Sequence, residues 1–186
     1  GSPLTHESFE YVYREIKSDV LLGSISGGTD IVSCFCLSCP IRPVYPGELQ
    51  CAGLGLAVDV VNQQGQSVVG VKGELVCRQP FPVMPIGFFG DEQNLQYHAS
   101  YFEEFSNIWA QGDFAEHTTQ DGFIIYGRAD ATLNPGGVRI GTAEIYRQVE
   151  TIADVLESLA IGQTIDGDVR IVLFVVLRQG VALNIK

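Results

Sequence analysis

The chain has 186 residues with 22 acidic and 11 basic side chains, so its formal net charge is −11 and its pI is about 4.5. Nucleic acid is therefore an unfavourable partner, because phosphate binding depends on clustered lysine and arginine. Apolar residues make up 46% of the chain and charged residues 18%, which excludes disorder. The longest apolar run, residues 171–177, is far shorter than the roughly 18 to 20 residues of a membrane span, so we expect none.

The first part of the chain predicts a helix, a strand and a glycine-rich loop. Thr5 is placed to cap a helix over residues 7–17, in which apolar side chains recur at helical spacing. Residues 19–25 are aliphatic and alternate weakly, which predicts a buried strand. That strand would run into the loop of residues 26–30, Ser-Gly-Gly-Thr-Asp.

Cysteines stand at 34, 36, 39, 51 and 77, and their odd number argues against a closed disulfide framework. We therefore expect a reducing compartment and a cytoplasmic location. The first three could suggest a zinc or iron–sulfur site. However, they do not form paired Cys-x-x-Cys knuckles, and no histidine lies between residues 7 and 97. Inert core cysteines are the favoured interpretation.

The middle of the chain has the texture of a small antiparallel β-barrel or sheet. Short β-rich runs at 57–61 and 73–77 are separated by glycine and proline turns. Residues 91–105 carry several aromatics and suit a helix or an irregular packed segment. Asp121-Gly122 lies between two apolar runs and predicts a hairpin.

The end of the chain predicts a helix at about 142–151 and a strand at 169–177. This order suggests the start of a second domain, since some fifty residues are marginal for an independent core. The fold class is therefore α+β.

Two segments could carry chemistry. The loop of residues 26–30 could cradle a phosphate and hold a magnesium ion, although such loops are also common as plain caps. Residues 127–146, GRADATLNPGGVRIGTAEIY, place Arg128 and Arg139 among glycines in an acidic chain. Guanidinium groups match phosphate oxygens. A solvated surface loop explains this segment equally well.

Segment 127–146 resembles the hinge motif of the adenylate-forming superfamily of acyl-CoA synthetases, peptide-synthetase adenylation domains and luciferase. Within that superfamily the chain is similar to the acetoacetate–CoA ligases. The similarity runs in order from Gly1 to about Phe174. The strings that carry it are GSPL, SISGGTDI, GELQC, GELVC, PFPVMP, the W-x-x-GD around Trp109 and NPGGVRIGTAEIY.

The resemblance implies ATP-dependent activation of acetoacetate as acetoacetyl-AMP, followed by transfer to coenzyme A to give acetoacetyl-CoA. ATP (bound as AMP after the first step) and coenzyme A would be substrates, and Mg2+ would be the metal cofactor. Residues 1–129 would form the C-terminal part of the large AMP-binding domain. Residues 130–186 would form the hinge and the beginning of the small C-terminal domain.

The resemblance also implies a nucleotide site. Gly1, Ser2 and Pro3 match the turn that contacts adenine, and Thr29 matches the threonine at the α-phosphate. Asp30 stands where the family has its magnesium-binding glutamate. Asp113 matches the carboxylate that accepts both ribose hydroxyls, a role suited to an acceptor-only group.

Further matches lie in and after the hinge motif. Arg128 matches the arginine near the ribose and phosphate, and Asp130 matches the hinge residue. Gly136 and Gly137 match the loop that lines the coenzyme A tunnel. Arg139 matches an arginine at the nucleotide phosphate, so Thr29, Asp30 and Arg139 form the implied catalytic set.

The chain departs from the superfamily pattern in several places. Ser26 stands where an aromatic residue usually stacks on adenine, and aspartate replaces glutamate at 30; the acetoacetate-specific group shares both changes. The superfamily's phosphate loop and catalytic lysine are missing, so we expect the chain to be a piece of a longer enzyme and inactive alone. Another short-chain acyl-CoA ligase and a non-catalytic nucleotide-binding module remain alternatives.

Overall fold

The computed structural model describes residues 4–165 and 168–183. It is a mixed α and β fold built mostly from antiparallel sheets, which confirms the predicted fold class. The chain divides into two compact units, one reaching Ile125 and the other starting at Tyr126. The predicted division of domain identity at 129/130 stays a prediction. None of the helices in the described ranges has the length and apolar character needed to cross a membrane.

The first unit opens with helix α1, His6–Tyr11, which continues as a π-helical turn over Val12–Ile16. Thr5 Oγ1 accepts a hydrogen bond from the Ser8 N–H at 3.2 Å, so the predicted cap is confirmed. Phe9 is fully buried and anchors the helix. The predicted helix of residues 7–17 is therefore present, with a wider last turn than periodicity alone indicates.

The strand predicted at 19–25 is wrong. Strand β1 is instead Ser26–Gly28, inside the predicted glycine-rich loop. It pairs with β2, Ser33–Leu37, which pairs with β3, Cys51–Ala52, and both pairings are antiparallel. Segment 19–25 has the composition of a strand, but a strand forms only where a neighbour accepts its backbone hydrogen bonds. In the described part of the chain no strand pairs with it.

The larger sheet has four strands and lies mostly in the first unit. Its strands are β4 (Val58–Val61), β5 (Lys72–Cys77), β6 (Trp109–His117) and β7 (Phe123–Arg128), adjacent in that order. The runs predicted at 57–61 and 73–77 and the Asp121-Gly122 hairpin are confirmed. Of the barrel and the sheet predicted as alternatives, the sheet forms: β4 and β7 are its edges in the described structure.

Aromatic side chains fill the core of this unit. Phe81 makes edge contacts with Phe35 and Trp109, each at 5.3 Å between ring centroids. Helix α2, Leu95–Tyr101, packs Tyr97 and Tyr101 against Trp109. The aromatic segment predicted at 91–105 is therefore helical in its central part.

The second unit contains a 3₁₀ turn at Pro135–Gly137, helix α3 at Thr142–Glu150, and strands β8 (Val155–Ile165) and β9 (Asp168–Leu177). The two strands form an antiparallel sheet. The predicted helix and the strand at 169–177 are confirmed. Strand β8 was not predicted.

Candidate functional site

The turn between β1 and β2 carries two of the predicted site residues, Thr29 and Asp30. Both are exposed, whereas the next residue, Ile31, is fully buried and anchors the turn to the core. Val32 follows with φ of 49°, and its N–H donates to the Thr29 carbonyl at 3.3 Å. The fold therefore presents a hydroxyl and a carboxylate side by side at a well-anchored turn.

Gly27 and Gly28, which precede this turn, allow the paired strand and the Asp30 side chain to lie close to the β1 backbone. A Cβ on Gly27 would overlap the Ser33 carbonyl oxygen of the paired strand. A Cβ on Gly28 would overlap Asp30 Oδ1 and would lie 3.1 Å from Gln111 Nε2. The missing side chain at 28 thus lets the Asp30 carboxylate fold back over β1.

Asp113 on β6 lies beside this loop although 87 residues separate it from Ser26. The Ser26 hydroxyl donates to Asp113 Oδ2 at 3.0 Å, and Asp113 is half-buried. Burial raises the pKa of the neighbouring Cys36 thiol, and the charge of Asp113 acts in the same direction. The structure therefore brings together the glycine-rich loop and the carboxylate that sequence similarity pairs with it.

Tyr101 connects the turn to the aromatic core. Its hydroxyl donates to Asp30 Oδ2 at 2.7 Å. Its ring stacks on Trp109 at 3.6 Å between centroids and 15° between planes. Burial raises the pKa of the Tyr101 phenol, and the hydrogen bond to Asp30 raises it further. Trp109 Nε1 in turn donates to Gln111 Oε1 at 2.9 Å.

Sequence reasoning noted Tyr101 only as one of several aromatics in a packed segment. Its pairing with Asp30 joins residues 71 apart in the chain. The sequence feature that points to Tyr101 is the spacing of aromatic residues before the W-x-x-GD string. That spacing does not distinguish an aromatic residue that only packs from one whose hydroxyl also makes a hydrogen bond.

In the second unit, three predicted residues lie around the turn at 129–132. Arg128 Nε pairs with Asp130 Oδ1 at 3.4 Å, and both side chains are more than half exposed. Arg139 Nε donates to Thr132 Oγ1 at 3.0 Å, and its terminal nitrogen donates to the Ala129 carbonyl at 3.4 Å. Two guanidinium groups therefore flank one turn.

Gly136 and Gly137 lie in the 3₁₀ turn, at the tip of a hairpin closed by the Leu133–Ile140 bridge. Gly136 has φ of 56°, a left-handed conformation that favours glycine. Its N–H donates to Asp168 Oδ1 at 2.8 Å, a contact that sequence reasoning did not predict. This bond, together with one from the Val169 N–H, lowers the pKa of the Asp168 carboxyl.

The predicted adenine turn, Gly1, Ser2 and Pro3, lies outside the described residues. Within residues 4–165 and 168–183, no group of three His, Cys, Asp or Glu side chains could hold a metal by itself. The five cysteines are free thiols; Cys36 and Cys77 are buried in the core.

No family model matches the chain. It is 60% identical over 184 residues to the acetoacetyl-coenzyme A synthetase of Rhizobium meliloti (strain 1021), covering 99% of this chain and 28% of that protein. It is 49% identical over 182 residues to the acetoacetyl-CoA synthetase of Mus musculus, covering 97% of this chain and 27% of that protein. The chain thus spans little more than a quarter of the curated relatives it matches.

Two solved structures are similar to the whole chain. The acetoacetyl-CoA synthetase from Streptomyces lividans superimposes with a TM-score of 0.88 at 39% identity, over 99% of this chain and 28% of that one. An anthranilate CoA ligase in complex with anthranoyl-AMP gives a TM-score of 0.75 at 20% identity, over 98% of this chain and 33% of that one, which shows a shared fold. Over almost its whole length, this chain is similar in sequence and fold to a segment of the acetoacetyl-CoA synthetases.

Proposed function

We propose that this chain is part of an ATP-dependent acid–thiol ligase. The ligase activates acetoacetate as acetoacetyl-AMP, releases pyrophosphate, and transfers the acyl group to coenzyme A to give acetoacetyl-CoA. Identity of 60% across nearly the whole chain favours this function. The observation that carries the proposal is the Ser26–Asp113 hydrogen bond of 3.0 Å, since it joins the glycine-rich loop to the carboxylate expected at the ribose.

In the first unit, the proposed roles are those that the resemblance implies for the exposed Thr29 and the half-buried Asp113. Asp113 accepts hydrogen bonds from both ribose hydroxyls, and the Thr29 hydroxyl contacts the α-phosphate. A carboxylate is a poor electrophile, so forming a mixed anhydride with AMP creates the leaving group that thiol attack needs. The two residues would orient the nucleotide for that step.

Asp30 fits the chemistry of a magnesium ligand. Its exposed carboxylate offers hard oxygen atoms at the turn, and Mg2+ in nucleotide sites takes one or two protein carboxylates together with substrate phosphates and water. Bound magnesium would neutralise charge on the phosphates. Asp30 would hold it close to the Thr29 hydroxyl.

In the second unit, we assign Arg128 and Arg139 to the nucleotide phosphates. The Arg128 side chain remains 52% exposed beside Asp130. Asp130 would serve as the hinge about which the small domain rotates between the two half-reactions. Gly136 and Gly137 would line the coenzyme A tunnel. The left-handed φ of Gly136 supports a turn at which a thiol arm passes close to the backbone. We place the protein in the cytoplasm, because five free thiols suit a reducing compartment.

The test is acetoacetate-dependent exchange of pyrophosphate into ATP by the full polypeptide that contains this chain. We expect acetoacetate to drive exchange better than acetate or propionate. Asp113→Ala should lower the exchange rate about a hundredfold, because two charge-assisted hydrogen bonds are lost at about 1.5 kcal/mol each. Glu103→Ala, which removes an exposed carboxylate in the same unit, serves as the control and should be neutral.

The other outcomes identify the alternatives. Faster exchange with acetate or propionate would make the protein a different short-chain acyl-CoA ligase. AMP binding without exchange on any carboxylate would make it a nucleotide-binding module. Either result overturns the acetoacetate proposal.

A further inference from the structure

Among the described residues, one side-chain hydrogen bond holds the Asp30 carboxylate. Its Oδ2 accepts the Tyr101 hydroxyl at 2.7 Å, and its Oδ1 lies over Gly28. An aspartate has one rotatable bond fewer than a glutamate, so a single strong hydrogen bond is enough to select its orientation. The bond to Tyr101 therefore sets the direction in which Oδ1 is presented.

Tyr101 is packed on several sides. Its ring lies flat on Trp109, and it makes edge contacts with Tyr97 at 5.4 Å and Phe88 at 5.8 Å between centroids. Helix α2, which carries it, begins where Asp91 accepts the Leu95 and Tyr97 N–H groups, each at 2.9 Å. Packing on several sides leaves the phenol little freedom, so its hydroxyl is a fixed donor at the exposed turn.

Tyr101 also connects Asp30 to β6, the strand that carries Asp113. Trp109, on which it stacks, is the first residue of β6, and Asp113 lies on the same strand. The Asp30 carboxylate is thus tied through Tyr101 to the strand that carries the carboxylate expected at the ribose. Such second contacts fix the orientation of a metal ligand and commonly change metal affinity by about 10- to 100-fold when removed.

We propose that Tyr101 is a positioning residue, which orients the Asp30 carboxylate to hold the divalent cation of a nucleotide bound in the first unit. This inference rests on the proposed function and deepens it. Tyr101 does not touch the reacting atoms; it acts through Asp30. Trp109 supports it by stacking.

The test is Tyr101→Phe in the full polypeptide, which removes the hydroxyl and keeps the ring stacked on Trp109. Mn2+ replaces Mg2+ as the probe, and its binding is measured by electron paramagnetic resonance with a non-hydrolysable ATP analogue present. We expect the half-saturating Mn2+ concentration to rise about tenfold. In pyrophosphate exchange, the half-saturating Mg2+ concentration should rise by a similar factor, while the KM for acetoacetate stays unchanged.

Tyr97→Phe is the matched control. It removes a phenol from the same helix, but that phenol donates to the Pro85 carbonyl and not to Asp30. Its Mn2+ affinity should equal that of the unmodified protein. In an Asp30→Ala background, Tyr101→Phe should add less than about a twofold effect, because the group through which it acts is gone.

The two proposals can fail separately. Unchanged Mn2+ affinity in Tyr101→Phe, or an equal loss in Tyr97→Phe, overturns the positioning role even if the ligase activity is present. A full effect of Tyr101→Phe in the Asp30→Ala background overturns it as well. Absence of exchange with every carboxylate, alongside the expected Mn2+ pattern, overturns only the ligase activity.

Discussion

The Gln50 side chain holds together a loop that has little regular structure of its own. It is 6% exposed, and its Oε1 accepts the Cys39 N–H at 2.9 Å. Its Nε2 donates to the carbonyls of Cys39, Arg42 and Pro43 at 2.8 to 3.1 Å. One amide thus satisfies four backbone groups between β2 and β3.

Gln50→Ala should therefore destabilise the protein by about 3 kcal/mol, because buried backbone groups lose their partners. Urea unfolding of the variant and of the unmodified chain measures the difference. Gln64→Ala, an exposed glutamine in a turn, should stay within about 0.5 kcal/mol of the unmodified chain. If Gln50→Ala lowers the free energy of unfolding no more than Gln64→Ala does, within about 0.5 kcal/mol, the Gln50 contacts contribute no net stability.

The cysteines should differ in reactivity according to their burial. Cys36 and Cys77 are at most 1% exposed, and burial raises the pKa of both thiols, so few reactive thiolates form. Under native conditions we expect iodoacetamide to modify Cys34 and Cys39 well before these two. Peptide mass spectrometry after timed quenching measures the order. Early labelling of Cys36 would contradict the burial on which this expectation rests.

Only part of the candidate site could be predicted from single residues. The loop that contains Thr29 and Asp30 is a candidate phosphate and magnesium site from its own residues, whereas its link to Asp113 is predicted only by resemblance to a family, since no local pattern joins positions so far apart. Tyr101 was missed because aromatic spacing predicts packing and says nothing about a phenol's hydrogen-bond partner. The polar partner becomes visible only when the fold brings α2 to the β1–β2 turn.

At the scale of elements, prediction succeeded where the local chemistry was strong. The Thr5 cap and the Asp121-Gly122 hairpin were both predicted and both formed. Prediction failed where the formation of a strand depends on pairing with another strand. Segment 19–25 has strand composition but pairs with no strand in the described structure, whereas β8 has a glycine and several polar residues and forms by pairing with β9.

The contact between Asp168 and Gly136 links the start of β9 to the 3₁₀ turn in a pH-dependent manner. The pKa of the Asp168 carboxyl is lowered by the N–H groups of Gly136 and Val169. A lowered folded-state pKa stabilises the link above the unfolded value of about 3.9, and the stabilisation is lost as the pH falls through the folded-state value. The link should therefore be intact at neutral pH and open in acid.

The Gly136 amide chemical shift, followed by NMR from pH 7 to pH 2, measures this transition. We expect one titration with a midpoint below about 3.9, the ordinary value for aspartate. Asp168→Asn removes the titrating group and should abolish the transition at Gly136. A midpoint above the ordinary value, or the same transition in Asp168→Asn, would refute the link.

Across the whole molecule, the two units differ in the quality of their cores. The first unit fully buries large side chains such as Trp109, Phe35 and Phe123. In the described part of the second unit, the buried apolar residues are smaller: Ala129, Leu133, Val149 and Ala160. The β8–β9 sheet meanwhile leaves Leu159 and Phe174 more than half exposed. A two-stranded sheet with this little burial gains little from the hydrophobic effect.

The second unit should therefore open more readily than the first. We expect amides in β8 and β9 to exchange with deuterium at least about a hundredfold faster than those in β5 and β6, after correction for intrinsic rates. Hydrogen-exchange mass spectrometry on the 186-residue chain measures this difference. β5 and β6 are paired on both sides, whereas β8 and β9 each have an unpaired edge, so the comparison uses only the amides that are hydrogen-bonded within the β5–β6 and β8–β9 ladders. Equal protection would mean that strand pairing and not side-chain burial determines local stability in this chain.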